Sequence, residues 1–248
     1  MSFMLEVITR LTKRLQRAKF VVVLTGAGVS AESGIPTFRG KDGLWRNFRA
    51  EELATPTAFR RNPELIWEWY EWRRSIIKEA SPNPAHYAIS ELEKLVPNFL
   101  LITQNVDNLH REAGSQNIVE LHGNIFRNRC SECGKIYNEL PSAASKPPKC
   151  SCGALIRPDV VWFGESLPRD ALDKSFSAAS NCDFMLVVGT SGVVEPAASL
   201  PFVAKRSGAF VAVINKDEIP FSPYADEVIL GKAGEILPKI LNLIKRQP

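Results

Sequence analysis

The sequence lacks a long apolar run, and none of its 248 residues lies in a stretch near the ~20 apolar residues that cross a bilayer. It also lacks a secretory signal, because residues 1–20 carry frequent polar side chains and no small-residue cleavage site. A basic presequence is the alternative for this segment, but a strand-like run follows immediately and leaves nothing to cleave. We therefore expect a cytoplasmic protein with no membrane partner.

Cysteine and net charge are also limited. Five cysteines are too few for a disulfide framework in a chain of this length, and four of them cluster while Cys182 stands alone. A net charge of +4 is too small to indicate nucleic acid, although it suits an anionic ligand or an acidic partner. We expect no specific nucleic-acid partner.

Short apolar runs alternate with helical patterns along the chain. Runs of this kind, buried on both faces and separated by helices, predict an α/β fold with a doubly wound parallel sheet. The predicted strands are residues 20–28, 98–103, 183–191, 210–215 and 227–231, with a short one at 118–123. The predicted helices are an amphipathic helix at the start and residues 83–95, 169–180, 195–207 and 234–246.

Two stretches interrupt this alternation. Residues 41–80 contain an aromatic-rich helix, for which Asn62 can cap the start and Pro63 can take the first position. Residues 128–157 contain the clustered cysteines. We interpret both as insertions that form a smaller domain, a helical module and a metal module. Residues 1–40, 81–127 and 158–248 then form the large domain.

A glycine turn follows the first predicted strand. Gly26-Ala27-Gly28-Val29-Ser30-Ala31 fits G-x-G-x-x-G/A, in which the backbone approaches a pyrophosphate at a helix N-terminus. A tight structural turn is the alternative. The acidic residue that a dehydrogenase places about 20 residues later is missing, because this window reads "RGKDGLWRNF". Hydride transfer is therefore disfavoured.

The four clustered cysteines form a C-x2-C…C-x-C pattern. Cys130, Cys133, Cys150 and Cys152 can surround one Zn²⁺ tetrahedrally. Four thiolates leave no open position, so the predicted zinc is structural. A redox C-x-x-C and a nucleic-acid zinc ribbon are the alternatives.

Polar residues follow the predicted strand ends. "QNVDNLH" (104–110) comes after the second strand, and "ELHGN" (120–124) places His122 beyond a short strand. Open α/β sheets bind ligands at this edge, so His122 is a candidate general base. Arg39 lies in the loop after the glycine turn and is a candidate ligand contact. We interpret His86 and His110 as structural.

Several ordered motifs resemble those of the sirtuins, which are NAD⁺-dependent protein lysine deacylases. They are "GAGVSAESGIPTFRGKDGLW", "TQNVDNLH", "ELHGN", the four cysteines, "RPDVVWFGE", "VVGTSGVVEPA" and "VINKD". The resemblance implies a Rossmann-like large domain, a small domain with zinc and helical modules, and NAD⁺ in the cleft between them.

The resemblance also implies roles for individual residues. Catalysis would use His122 as general base, with Asn105 and Asp107. NAD⁺ would be contacted by Gly26, Ala27, Gly28, Ala31, Glu32, Ile35, Pro36, Phe38, Arg39, Trp45, Gln104, Asn105, Asp107, Gly189, Thr190, Ser191, Asn215, Asp217 and Ala233. The acyl-lysine substrate would be contacted by Ala54, Tyr70, Arg73, Val161, Trp162, Phe163, Gly164, Val193 and Glu195.

The implied reaction begins when the acyl-lysine carbonyl oxygen attacks C1′ of the nicotinamide ribose and expels nicotinamide. His122 then removes a proton from a ribose hydroxyl, which attacks the resulting alkylimidate. Water releases free lysine and O-acyl-ADP-ribose. The partner is an acylated protein or peptide, which would bind as an added strand between residues 160–165 and 192–196. We expect a monomer.

Residues Tyr70 and Arg73 lie three apart on the aromatic-rich helix. Periodicity alone favours a core tyrosine and an arginine paired with a nearby glutamate. The Tyr-x-x-Arg spacing, however, resembles class III sirtuins, in which the pair binds the carboxylate of succinyl, malonyl or glutaryl groups. The small Ala54 would leave room for such a chain. We expect Arg74 to be solvated. A deacetylase without acidic-acyl preference and a protein ADP-ribosyltransferase are the alternative functions.

Overall fold

Parallel strands form the central sheet of the computed structural model, which describes residues 3–37, 44–45, 48–140 and 147–246. The helices are α1 (Phe3–Arg17), α2 (Ala27–Ala31), α3 (Ala50–Leu53), α4 (Pro56–Arg61), α5 (Pro63–Glu79), α6 (Pro84–Leu95), α7 (Leu109–Glu112), α8 (Arg169–Asn181), α9 (Leu200–Arg206) and α10 (Ala233–Arg246). The strands are β1 (Phe20–Thr25), β2 (Leu44–Trp45), β3 (Phe48–Arg49), β4 (Asn98–Thr103), β5 (Ile118–Glu120), β6 (Gly123–Cys130), β7 (Ile136–Tyr137), β8 (Ile156–Val160), β9 (Phe184–Val188), β10 (Phe210–Asn215) and β11 (Glu227–Leu230).

The central sheet has six strands in the order β11-β10-β9-β1-β4-β5. Every neighbouring pair in it is parallel. The order reverses between β1 and β9, because β4 and β5 extend the sheet on one side of β1 and β9 to β11 extend it on the other. Open α/β sheets bind ligands in the crevice that such a reversal leaves at the carboxyl ends of the strands.

The apolar runs form strands because both faces of the sheet are covered. Val21 and Val23 of β1 pack with α1, α6 and α10, whereas Val22 and Leu24 pack with α8 and α9. Alternate side chains of a strand point to opposite faces, so each run must be apolar throughout. This confirms the predicted α/β fold with a parallel sheet.

The predicted helix at 195–207 is shorter than expected. The chain instead makes a 3₁₀ turn at Ala197–Ser199 before α9 begins at Leu200. Pro201 then occupies the first turn of α9, where its missing N–H costs nothing. No helix within the described ranges is long and apolar enough to cross a bilayer.

A second, antiparallel sheet has the order β7-β6-β8, and β2 pairs with β3 in a short hairpin. Periodicity did not predict β6 or β8, and the predicted limits at 127/128 and 157/158 fall inside these two strands. Besides the two apolar clusters on the faces of the central sheet, a third core cluster joins the antiparallel sheet to α5, and it includes Ile66, Trp69, Ile125 and Ile156.

Helix α5 begins as predicted. The Asn62 side chain accepts a hydrogen bond from the Leu65 amide at 3.1 Å, and Pro63 occupies the first position. The spacing of its apolar residues predicts a buried stripe of Leu65, Ile66, Trp69, Trp72 and Ile76, and the buried face in the structure differs from it. The buried residues are Ile66, Trp67, Trp69, Tyr70 and Ile77. The indole of Trp67 is held inside because its N–H donates to the Ile156 carbonyl at 2.9 Å.

Candidate functional site

The glycine turn after β1 packs against the loop after β9. The amide of Gly28 donates to the Gly189 carbonyl at 2.7 Å, and a Cβ on Gly28 would lie 2.7 Å from the same oxygen. A Cβ on Gly26 would lie 2.9 Å from it. These contacts are too close for any side chain, so both glycines are required by the fold itself. The turn also carries α2, whose N-terminus opens at the strand-order reversal.

The loop after β4 joins the same crevice. Nε2 of Gln104 donates to Thr190 Oγ1 at 3.0 Å and to the Thr25 carbonyl at 3.3 Å. The predicted residues that follow β1, β4 and β9 are thus brought into contact at one edge of the sheet.

Asn105 and Asp107 belong to the same loop and are buried, with exposures of 8% and 5%. The Asn105 amide donates to Ser30 Oγ at 3.1 Å, and Ser30 also hydrogen-bonds the Asp107 carboxyl. Burial raises the pKa of Asp107, while Ser30, the Leu109 amide and the charge of Arg73 partly oppose that rise. Ser30 was not predicted, because it occupies an unspecified position of the glycine motif.

His122 is oriented by the backbone. Its Nδ1 lies 3.0 Å from the carbonyl oxygen of Gln104, which can only accept, so Nδ1 carries the proton and Nε2 a lone pair. Burial lowers the pKa of His122, and the hydrogen bond to Gln104 offsets part of that fall. The neutral, basic form is therefore favoured.

The other two histidines, His86 and His110, form a pair of buried imidazoles. The rings of His86 and His110 are 4.7 Å apart, and burial lowers the pKa of His86 to about 4. Burial and the neighbouring His86 lower the pKa of His110 well below its ordinary value. His86 accepts from the Asn83 amide at 3.2 Å in a capping box, and His110 contacts Thr25 Oγ1 at 3.0 Å. Both contacts fit the structural role expected.

The segment after β8 passes beside His122. The Val161 amide donates to the His122 carbonyl and the Phe163 amide to the Ala54 carbonyl, both at 2.9 Å. Phe163 is 44% exposed and Gly164 is also exposed, whereas Trp162 is 2% exposed and directed inward. In the loop after β9, Val193 is 44% exposed and Glu195 is exposed.

Tyr70 and Trp162 are joined inside the third core cluster. The indole N–H of Trp162 donates to the Tyr70 oxygen at 2.7 Å, and Tyr70 has no exposed surface. Arg73 lies with its guanidinium carbon 5.3 Å from the Trp69 ring and 5.9 Å from the Tyr70 ring. Burial lowers the pKa of Arg73, with Tyr70 and Asp107 opposing the change. The half-buried guanidinium of Arg73 is therefore close enough to Asp107 for the two charges to interact.

The expectation that Arg74 is solvated is wrong. Its Nε donates to the Ile125 carbonyl and its NH2 group to Asn128 Oδ1, both at 2.7 Å. Its guanidinium carbon also lies 5.5 Å from the Trp67 ring centre. Periodicity could not find these partners, because they belong to β6, about fifty residues further along the chain.

The remaining predicted cofactor residues follow β10 and β11 or surround α2. Asn215 ends β10 and donates to the Asp217 carbonyl at 2.7 Å, while Glu32 accepts from the Gly234 amide at 3.1 Å beside Ala233. Ile35 is buried, Ala27 and Pro36 are half-buried, and Ala31 and Ser191 are exposed. Phe38 and Arg39 lie outside the described residues, as does the Trp45 side chain.

The four predicted metal ligands converge. The sulfur atoms of Cys130, Cys133, Cys150 and Cys152 all lie within 4.8 Å of one another. The Cys130–Cys152 and Cys133–Cys150 sulfur pairs are 3.4 and 3.7 Å apart. Tetrahedral Zn²⁺ with Zn–S bonds of ~2.3 Å requires sulfur separations of about 3.8 Å. The four thiols therefore fit a structural zinc.

Comparison with known proteins gives a consistent family. Residues 26–196 match the model of the Sir2 family. An NAD-dependent protein deacylase of Pyrococcus furiosus is 54% identical over 244 residues, covering 95% of this chain and 97% of that protein. One of Aquifex aeolicus is 54% identical over 229 residues, covering 92% and 96%.

Solved structures agree. A Sir2 homolog–NAD complex has a TM-score of 0.90 at 49% identity, covering 96% of this chain and 93% of that one. A Sir2 complex with a p53 peptide and NAD⁺ has a TM-score of 0.84 at 34% identity, covering 94% and 96%.

Proposed function

This chain belongs to the Sir2 family, and from that membership we propose that it is an NAD⁺-dependent deacylase of protein lysine side chains. We further propose that it prefers acyl groups that end in a carboxylate, such as succinyl and malonyl. The observation that carries the preference is the placement of Arg73 beside the Tyr70 phenol, whose ring centre lies 5.9 Å from the Arg73 guanidinium carbon. A guanidinium and a phenol side by side can both donate hydrogen bonds, and an acyl group that ends in a carboxylate would accept them.

NAD⁺ would bind in the crevice between the six-stranded sheet and the metal module. We place the limits of the metal module at the ends of its three-stranded sheet, residues 123 and 160. The NAD-dependent deacylases among the relatives and the Sir2 homolog–NAD complex support this ligand. So does the local chemistry, because α2 begins directly after β1 at the strand-order reversal, where its N-terminal amides would face a phosphate.

His122 would be the general base. Its Nδ1–H is committed to the Gln104 carbonyl, which leaves Nε2 to take a proton from a ribose hydroxyl. Asn105 and Asp107 would hold the ribose and the amide of nicotinamide, and their side chains are fixed by Ser30. The pKa of His122, lowered by burial, keeps the base unprotonated at neutral pH.

The protein substrate would bind as an extended strand. Exposed Phe163 and Val193 would offer apolar contact to that strand. A backbone-paired strand tolerates varied sequences, so the acyl group rather than the peptide would determine selectivity. The p53 peptide bound by a relative supports this mode. The cysteine cluster would hold a structural zinc that takes no part in the reaction.

A matched set of acyl-lysine peptides tests the proposal. One peptide sequence is prepared with acetyl, succinyl and succinamoyl groups, the last having the length of succinyl without its charge. We expect NAD⁺-dependent turnover of all three, with kcat/KM highest for succinyl and at least about tenfold lower for succinamoyl. Equal values for succinyl and succinamoyl would leave a deacetylase without acidic preference. Labelled NAD⁺ that ends on the acceptor protein, instead of in O-acyl-ADP-ribose, would identify an ADP-ribosyltransferase.

A further inference from the structure

The hydrogen bond between Trp162 and Tyr70 fixes the direction of the tyrosine hydroxyl. A phenolic oxygen can donate one proton and can also accept, whereas an indole N–H can only donate. Because Trp162 donates to this oxygen at 2.7 Å, the phenolic proton must point elsewhere. Among the residues that the structure describes, no acceptor for that proton is found.

Trp162 itself is held in place from two sides. The guanidinium carbon of Arg157 lies 3.2 Å from the centre of the Trp162 ring. Arg157 also makes a bidentate pair with Glu165 at 2.5 and 2.9 Å and donates to the Val160 carbonyl at 2.6 Å. Glu165 in turn accepts from the Trp162 amide at 2.8 Å. The side chain and backbone of Trp162 are therefore both anchored to one buried ion pair.

We propose that Trp162 is a positioning residue for acyl selection: by donating to the Tyr70 oxygen, it commits the phenol to donate its proton to the carboxylate of the acyl group. This inference rests on the proposed acidic-acyl preference. A phenol that is free to turn can present a lone pair to an anion, which repels it. A phenol with its acceptor side occupied presents the proton, and a hydrogen bond to a carboxylate is roughly twice as strong as a neutral one.

Trp162 would then serve acyl selection from within the segment that binds the peptide. Val161 and Phe163 place the backbone of that segment beside His122 and Ala54, whereas the side chain between them reaches back to α5. The same short segment would thus pair with the substrate backbone on one side and orient the Tyr70 hydroxyl toward the acyl group on the other.

Selectivity measurements test this with a matched control. Trp162→Phe keeps a ring against Arg157 and removes the N–H. Trp67→Phe removes another buried indole N–H, which donates to the Ile156 carbonyl and has no part in the site. We expect Trp162→Phe to lower the succinyl-to-acetyl ratio of kcat/KM about tenfold, mainly through the KM of the succinyl peptide. Trp67→Phe should reduce thermal stability and keep the wild-type ratio.

A double variant separates positioning from a general structural effect. In a Tyr70→Phe background, Trp162→Phe should not lower the ratio further, because the hydroxyl it orients is gone. Suppose that Tyr70→Phe lowers the succinyl-to-acetyl ratio but Trp162→Phe lowers it no more than Trp67→Phe does. That result would overturn this inference and leave the acyl preference standing. A Tyr70→Phe variant with the wild-type ratio would also overturn this inference, whereas a wild-type ratio near one would overturn the acyl preference itself.

The hydrogen bond can also be observed without substrate. The chain has five tryptophans, so ¹⁵N-labelled protein should give five indole N–H signals. The signal that Trp162→Phe deletes should move upfield in Tyr70→Phe, because the N–H loses its acceptor. A signal that keeps its position would overturn the donor–acceptor assignment.

Discussion

The carbonyl oxygen of Gln104 lies 3.0 Å from Nδ1 of His122, and this contact determines which imidazole nitrogen can act as a base. It also connects the loop after β4, which lines the crevice, to the short strand β5 that carries His122 toward it. The proton on Nδ1 cannot leave without breaking a hydrogen bond that the backbone supplies, so Nε2 is the atom that titrates in the reaction.

Replacing His122 by tyrosine should remove deacylation. The variant lacks the base, and general-base catalysis is worth roughly 100- to 10,000-fold. Turnover of an acyl-lysine peptide by purified protein measures the loss, while circular dichroism and NAD⁺ binding report whether the fold persists. Undiminished turnover would end the assignment of His122 as the base.

The pH dependence of the reaction should follow the pKa of His122. Burial lowers that pKa below the ordinary value of 6.5, and only the unprotonated ring is active. Activity should therefore hold as pH falls to 6.5 and decline below it, as the ring takes up its proton. The acid limb of kcat/KM against pH gives the midpoint. A midpoint above 7 would contradict the burial described for this ring.

Replacing Arg73 by methionine should remove mainly desuccinylation. Loss of a charge-assisted pair in a partly dry pocket costs about 2–4 kcal/mol, or roughly 30- to 1,000-fold in kcat/KM. Arg74→Met is the control, because that neighbouring guanidinium bonds Ile125 and Asn128 and should affect stability only. Equal loss of deacetylation and desuccinylation in Arg73→Met would make Arg73 a structural residue. In that case its role would be to interact with the charge of Asp107.

Zinc content should depend on the cysteine cluster alone. We expect one Zn²⁺ per chain by elemental analysis, lost in Cys133→Ser together with several degrees of thermal stability. Cys182→Ser provides the matched control, since this buried thiol packs on the face of the central sheet that α8 and α9 cover, away from the other four cysteines. Metal retained by Cys133→Ser would contradict a four-thiolate site.

Stability should fall in mild acid because of His86. Its pKa is about 4 when folded, compared with 6.5 as the reference value, so the unfolded chain binds the proton first as pH falls. The contribution of His86 to the free energy of unfolding should therefore decrease below pH 6.5 and become constant below about pH 4. The expected loss between pH 7 and pH 5 is about 2 kcal/mol. Denaturant unfolding of His86→Gln should show a correspondingly flatter pH dependence, and an unchanged slope would refute this origin.

The sequence predicted the central sheet well and the smaller one poorly, for one physical reason. The strands of the central sheet are covered on both faces, so their composition alone reveals them. Strand β6 instead carries Arg127, which pairs with Glu120 at 2.7 Å and Asp159 at 3.0 Å, and its charges hide the strand pattern. Long-range pairs of this kind leave no periodic signal.

Only those residues of the candidate site that belong to sequence motifs could be predicted. Glycines, cysteines and His122 have fixed spacings that a sequence displays. The partners of Arg74 and the acceptor of the Trp162 N–H depend on how α5 packs against β6 and β8, which no spacing encodes. Ser30 is the intermediate case, because its motif is visible and its bonds to Asn105 and Asp107 are not.

The central place of β1 in its sheet has a consequence for synthesis. Its partners are β4 on one side, at residues 98–103, and β9 on the other, at residues 184–188. A growing chain that has reached the end of the cysteine module can pair β1 with β4, and β4 with β5, but the other edge of β1 stays bare until β9 emerges. An unpaired apolar edge invites association with other chains. The first half of this protein therefore depends on its second half, or on a chaperone, for protection during translation.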